Sequence, residues 1–304
     1  MPQRMGFLFP GQGSQFVGMA HNLYEREPLA RERFREANEI LGFDLAKVCF
    51  NGPTEELQLT ANAQPAILVH SVIACDLLRA RGIIPVAVAG HSLGEYSALV
   101  ASGSMPFADA VRVVHLRGRF MQEAVPVGVG TMAAILGLDS TQVELACVEV
   151  IDDGVVQPAN YNCPGQIVIS GHAGAVRRAM ARCLEQGAAK VMELPVSAPF
   201  HSALMAPAAE RLQPALQQVT FSDMQVPVIS NVEAKPFGSR VLVAKLLLDQ
   251  VTAPVRWQES VRTLIERGVE AVVEVGPGKV LSALMRRIDR SIKVVELNTL
   301  LDFM

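Results

Sequence analysis

Ten residues constrain the fold of this chain more than any others: Val86-Ala87-Val88-Ala89-Gly90-His91-Ser92-Leu93-Gly94-Glu95. Val86 to Ala89 is a short apolar run that reads as a strand. Glu95 to Ala101 has the composition of a helix that stops before Gly103. Ser92 falls on the sharp turn between them. Such a turn crowds the backbone two positions to either side, and Gly90 and Gly94 supply the small residues it needs. The Ser92 hydroxyl is thereby pushed out at the carboxyl edge of a sheet, beside a helix N-terminus whose free N–H groups stabilise negative charge. The same residues admit a plainer reading, in which Ser92 and Glu95 form an N-terminal capping box. His91 is adjacent to the serine, but neighbouring side chains on such a turn diverge, so it is expected to support the structure rather than act as a base.

The rest of the chain alternates in the same way. Phe7 to Phe9, Ile167 to Ile169, Val226 to Ile229 and Ala271 to Val275 read as further strands, with helices at Pro65 to Arg81 and Ser260 to Arg267 among those between them. This alternation predicts an α/β fold with a mostly parallel sheet. One stretch departs from it. Thr131 to Leu138, Ser140 to Val150, Val155 to Pro158, Gln166 to Ser170, Ala173 to Gln186 and Ala189 to Leu194 follow a β-α-β-β-α-β order, which is ferredoxin-like. A small domain is therefore expected at residues 127–196, bounded by Pro126 and Pro195 and inserted into a larger discontinuous domain of residues 1–126 and 197–304. A chain of 304 residues is long enough for both.

Composition excludes several classes. Hydrophobic residues make up 50% and charged residues 19%, which argues against disorder. A net charge of −3 gives no field to attract nucleic acid. Five scattered cysteines without a Cys-x-x-Cys pair or a histidine at ligand spacing read as reduced buried thiols, so no metal or disulfide is expected. The longest apolar stretch, Ala124 to Leu138, holds Pro126 and three glycines and falls short of the roughly 18 residues a membrane span needs. The N-terminus shows no apolar secretory segment, and a cytoplasmic location is expected.

A serine nucleophile needs a base. Among the remaining histidines (His21, His70, His115, His172 and His201), His201 stands out because Pro195-Val196-Ser197-Ala198-Pro199-Phe200-His201-Ser202 is a proline-punctuated loop after a strand. Three other segments narrow the reading: Phe9-Pro10-Gly11-Gln12-Gly13-Ser14-Gln15, Asn160-Tyr161-Asn162-Cys163-Pro164-Gly165-Gln166 and Glu274-Val275-Gly276-Pro277-Gly278. Together with Gly90-His91-Ser92-Leu93-Gly94-Glu95 and Ala198-Pro199-Phe200-His201, these resemble the malonyl-CoA:acyl carrier protein transacylases of bacterial fatty-acid synthesis over essentially the whole chain. The same fold also serves the acyltransferase domains of polyketide synthases. Gly11-Gln12-Gly13 also resembles a dinucleotide fingerprint, but Phe16 stands where its third glycine belongs.

The resemblance implies an α/β-hydrolase-like core and a ping-pong reaction. Ser92 takes a malonyl group from malonyl-CoA and yields it to the phosphopantetheine thiol of acyl carrier protein, with His201 as the base and no cofactor. It puts the oxyanion hole at the backbone N–H groups of Gln12 and Leu93, and it assigns the orientation of His201 to the backbone carbonyl of Gln250. Acids that could have filled that third place, such as Asp152 and Asp153, are set aside on this ground. Arg117, twenty-five positions after Ser92, occupies the place of the arginine that grips the malonyl carboxylate; Arg119 is expected at the surface. Asn160 and Asn162, in a Pro-Gly turn, either line the cleft and contact the pantetheine or brace the loops, and Phe200 is expected to narrow the acyl site. Lys190, Arg286, Arg287 and Arg290 are candidates to meet the acidic carrier, and a monomer is expected. Two alternatives stay open, a serine esterase or thioesterase on the same turn and a carrier-binding scaffold without catalysis.

Overall fold

The computed structural model describes residues 4–196 and 198–301, so the expected domain boundary at Ser197 and the side chain of Asp153 lie outside the described residues. Among the described residues, nine strands fall into two sheets. The larger contains β1 (Met5–Phe9), β2 (Ala87–Gly90), β7 (Val228–Ile229), β8 (Ala271–Glu274) and β9 (Lys293–Val295), in the order β7-β2-β1-β8-β9, with every ladder parallel. Its central strands are apolar except for Glu274 at the end of β8 and buried except for Met5 at the start of β1, as suits strands covered by helices on both faces. The smaller sheet contains β3 (Gly130–Leu136), β4 (Val156–Cys163), β5 (Gln166–His172) and β6 (Lys190–Glu193), in the order β4-β5-β3-β6, with every ladder antiparallel. Helices Ser140–Val148 and Ala173–Glu185 complete its ferredoxin-like order. The fold is thus α/β with a parallel sheet and a small α+β unit within it.

Several elements depart from the sequence expectation, among them three with identifiable reasons. The strand expected at Val226 to Ile229 keeps only its last two residues, because Pro227 has no N–H for the ladder and contributes its carbonyl alone, to the N–H of Val88 at 2.9 Å. β9 is a three-residue edge strand with no period long enough to read. The helix expected from Pro65 begins at Thr60. Pro65 within that helix leaves the carbonyl of Ala61 without its usual donor, and Nδ1–H of His115 fills the place at 2.9 Å. At 21 residues this helix is long and apolar enough to cross a membrane by length and composition, but it is a core helix, buried against the helices and sheet around it. Helix Phe107–Glu123 packs against its start. A Cβ on Gly118 would lie 2.4 Å from the carbonyl oxygen of Thr60, so glycine is what allows the approach.

Two connections set the smaller sheet against the larger one. β4 carries register shifts at Pro158/Asn160 and Tyr161/Cys163, which let its far end bridge Val255 through Tyr161 N–H to Val255 O (2.9 Å) and Val255 N–H to Ala159 O (2.8 Å). Gly130, at the start of β3, packs against the ring of Pro199, which a Cβ there would meet at 2.4 Å. Between the two sheets opens a cleft of about 440 Å³.

Candidate active site

Ser92 lies at the end of β2 with φ of +51°, the left-handed region that a serine adopts only under constraint. The neighbouring glycines supply the constraint. A Cβ on Gly90 would come within 1.9 Å of the Gly94 carbonyl carbon, and one on Gly94 within 2.0 Å of the Phe9 carbonyl oxygen. Both contacts are with main-chain atoms, so no rotamer change relieves them. The helix that follows, Gly94–Ala101, has no side-chain cap. The capping-box reading is thereby excluded: Ser92 Oγ points into the cleft, and Glu95 turns inward.

His201 also has a positive φ, +56°. Its Nε2 lies 2.7 Å from Ser92 Oγ, and its Nδ1 lies 2.9 Å from the backbone carbonyl of Gln250, in helix Val243–Thr252. The carbonyl can only accept, so Nδ1 carries the proton and Nε2 presents its lone pair to the serine hydroxyl. Burial, with Arg117 nearby, pushes the imidazole down to about 3, which keeps it neutral with the Nε2 lone pair free. Asp152 lies exposed in a short turn of the smaller sheet. His91 turns away from Ser92, as expected, and its Nε2 pairs with Asn162 Oδ1 at 2.9 Å.

Arg117, from helix Phe107–Glu123, is 1% exposed. Its Nη2 donates to Ser92 Oγ at 3.1 Å and to the side-chain oxygen of Gln250 at 2.9 Å, and its Nη1 donates to Gln64 Oε1 at 2.9 Å. Its Nε–H has no acceptor, and among the described residues no carboxylate lies within salt-bridge distance of it. A buried cation with spare donors beside a nucleophile is a receptor for an anionic group.

The loop after β1 brings Gln12 to the cleft, and Gly11 packs so close to the elbow that a Cβ would meet the His91 carbonyl oxygen at 2.5 Å. Among the described residues, the backbone N–H groups of Gln12 and Leu93 have no internal acceptor. The N–H of Ser92 itself is taken by Asn231 Oδ1 at 2.7 Å. Phe200 and Asn160 line the cleft with Met121, Met132 and Leu194. The expected Pro-Gly turn setting for the asparagines is corrected: both sit on β4, ahead of the turn at Pro164 and Gly165, because the β4 bulges extend that strand. Of the two, Asn160 borders the cleft and Asn162 braces His91.

The basic candidates lie elsewhere. Lys190 is exposed at the start of β6, Arg286 reaches Glu296 at 3.9 Å, and Arg287 donates to Gln166 Oε1 (2.6 Å) and the Pro164 carbonyl (3.3 Å). Arg290 is exposed. Among the described residues no group of three or more His, Cys, Asp or Glu side chains is arranged to hold a metal ion.

Three residues were not singled out as site residues from the sequence: Gln64, Asn231 and, beyond its capping role, Glu95. Asn231 follows β7 at the carboxyl ends of the strands, where ligand sites of parallel sheets form, and that position was the available signal. Gln64 is a buried polar residue near the start of a helix that is mostly apolar and buried.

An elbow serine bonded to a neutral histidine, with two free N–H groups and a buried arginine at hand, defines a serine-dependent acyl-transfer site. Comparison with known proteins narrows the class. Residues 6–302 match the acyl transferase domain model. The chain is 49% identical over 293 residues to the malonyl CoA-acyl carrier protein transacylase of Bacillus subtilis, covering 96% of this chain and 92% of that one. To the Escherichia coli protein of the same name it is 47% identical over 296 residues, covering 97% and 96%. Among solved structures, the Coxiella burnetii transacylase superposes with a TM-score of 0.97 at 41% identity, covering 99% of this chain and 96% of that one. A malonyl-transacylase in complex with a type II polyketide acyl-carrier protein superposes at 0.95 and 42% identity, covering 99% of each. The chain belongs to the malonyl CoA-acyl carrier protein transacylase family.

Proposed function

We propose that this chain transfers the malonyl group of malonyl-CoA to the phosphopantetheine thiol of acyl carrier protein through a malonyl ester on Ser92, supplying extender units for fatty-acid synthesis. The observation that carries the reading is Arg117, a buried guanidinium with no carboxylate within salt-bridge distance among the described residues, whose Nη2 reaches the Ser92 hydroxyl. A malonyl group bound as a thioester keeps one free carboxylate a single methylene away from the carbonyl that Ser92 attacks, and Arg117 offers that carboxylate its donors.

In the first half-reaction Ser92 Oγ attacks the thioester carbonyl while its proton passes to Nε2 of His201. The oxyanion is held by the N–H groups of Leu93 and Gln12, each such donor being worth about 10²- to 10³-fold in rate. The C–S bond breaks, and coenzyme A leaves as its thiol with the proton from His201. The second half-reaction runs the same steps backwards with the carrier thiol. The neutral Gln250 carbonyl fixes the tautomer of His201 and supports an imidazolium less than a carboxylate would, which suits a thiolate leaving group. Phe200 narrows the acyl site; one extra methyl is worth only about 1 to 3 kcal/mol of discrimination, so exclusion of branched malonyl groups is incomplete.

The reading includes residues 127–196 as a subdomain inserted between 1–126 and 197–304. It also takes the enzyme to be a monomer that uses no cofactor and works in the cytoplasm. Five buried, unpaired cysteines suit a reducing compartment. Transfer to a polyketide carrier is a second reading, favoured by the resemblance to a transacylase seen with such a carrier; rates with the two kinds of holo carrier protein separate them.

Arg117→Ala tests the assignment. It is expected to cut acylation by malonyl-CoA by about 10²-fold or more, the loss typical of removing one member of a desolvated charge pair, while transfer of uncharged acyl groups survives. An unchanged malonyl preference would favour an esterase on the same turn.

A further inference from the structure

Beneath Arg117 lies a buried ionisable group that the reaction above does not use. Glu95, in the first turn of the helix after the elbow, is fully buried. One of its oxygens accepts the N–H of Asn231 at 3.3 Å, and the other accepts Nε2 of Gln250 in a short hydrogen bond. The same Gln250 amide presents its oxygen to Nη2 of Arg117 at 2.9 Å, and its nitrogen is further fixed by the Ser92 carbonyl at 3.0 Å. A single amide therefore joins the carboxylate to the guanidinium. Both Glu95 oxygens face N–H donors, which is the setting of an ionised carboxylate.

The other groups packed around Glu95 supply no balancing charge. Gln250 and Asn231 are neutral, the Tyr96 phenol on its own helix is pushed up to about 12 by burial, and His201 is neutral. Among the described residues Arg117 is the one cation whose charge acts on Glu95, and burial pushes the Glu95 carboxyl up to about 8. The site without substrate thus holds one buried cation and one buried acid of weakened acidity.

We propose that Glu95 is the resting counter-ion of Arg117, and that it takes up a proton from solvent when the carboxylate of a malonyl group enters the cleft and replaces it. Two carboxylates served by one buried guanidinium repel, and the one whose proton affinity is already raised is the one that neutralises. This rests on the reading of Arg117 as the grip on the malonyl carboxylate. Its consequence is that binding of carboxylated acyl groups, and not of neutral ones, is linked to one proton.

The test uses the Ser92→Ala enzyme, which cannot turn over, titrated calorimetrically with malonyl-CoA and with acetyl-CoA in buffers of different ionisation enthalpy between pH 7 and 9.5. The expected result is proton uptake approaching one per site above pH 8 for malonyl-CoA and none in excess for acetyl-CoA. Above that pH, malonyl-CoA affinity is expected to weaken by up to about ten-fold per pH unit. In Ser92→Ala/Glu95→Gln the uptake disappears and malonyl-CoA affinity stays flat with pH. If malonyl-CoA binds no better than acetyl-CoA to Ser92→Ala at pH 7, the reading of Arg117 fails. If it binds better without proton uptake, or if the uptake survives Glu95→Gln, the counter-ion role is overturned. Should the double variant not fold, the proton count on Ser92→Ala alone decides.

Discussion

At the scale of the residue, the site depends on main-chain contacts that leave no room for a methyl group. Gly94→Ala puts a Cβ against the Phe9 carbonyl oxygen, and because backbone must move to admit it, the substitution is expected to cost about 3 kcal/mol of stability along with acylation of Ser92. Chemical denaturation measures the first and single-turnover acylation the second. This part of the site was legible in the sequence because the strain is local: two glycines flanking one serine reveal the turn without knowledge of its surroundings. His201, 109 positions from Ser92, was marked by its proline-punctuated loop, but Arg117 and the Gln250 carbonyl, 25 and 158 positions away, were reachable only through resemblance. The Gln250 side chain, Asn231 and Glu95 were missed for a related reason. Their roles lie in hydrogen bonds across three elements, and nothing in a glutamine, an asparagine or a helix-start glutamate announces such partners.

At the scale of the element, strands with four or more apolar residues and long helices were readable from their period, while β9 and the start of helix Thr60–Ala80 were not. Pro65 marked a helix start by its usual preference, and His115, 54 positions from Ala61, supplied the donor that makes an interior proline tolerable. Pairing within the smaller sheet brings together what the sequence separates. Gln166 pairs with Leu136, which pairs with Lys190, so Lys190 stands two strand spacings, about 10 Å, from the Gln166 to which Arg287 donates, at one end of that sheet. If this end meets the acidic carrier, Lys190→Glu is expected to slow malonyl transfer to carrier protein several-fold at low ionic strength and to leave acylation by malonyl-CoA unchanged. Rising salt should slow the second half-reaction more steeply than the first. Equal salt sensitivity of the two half-reactions removes this docking site.

At the scale of the whole molecule, buried titratable groups give stability a peak. His201 and His70 are held near 3 and 4 by burial, with His91 also lowered, against an ordinary value of 6.5. The unfolded chain binds these protons first, so stability is lost as pH falls below about 6.5. Glu95, raised from 4.5 to about 8, and Glu274, also raised, act in the opposite sense: they favour the folded state at low pH and cost stability as pH rises towards 8. Three histidines outweigh two carboxyls between pH 4.5 and 6.5, and only the carboxyls act above it. Denaturation midpoints are therefore expected to peak near pH 6.5; a steady rise to pH 8 would contradict the burial of Glu95 in a raised state.

The chemistry converges on one atom. Ser92 Oγ is within hydrogen-bond reach of a neutral base and a buried guanidinium, and it sits on the turn that also presents one of the two free N–H groups. Intact-protein mass spectrometry after mixing with malonyl-CoA, followed by peptide mapping, tests that convergence directly. One malonyl group is expected on Ser92, absent from Ser92→Ala and discharged on addition of holo acyl carrier protein. An unmodified protein, or an adduct on another residue, would contradict it.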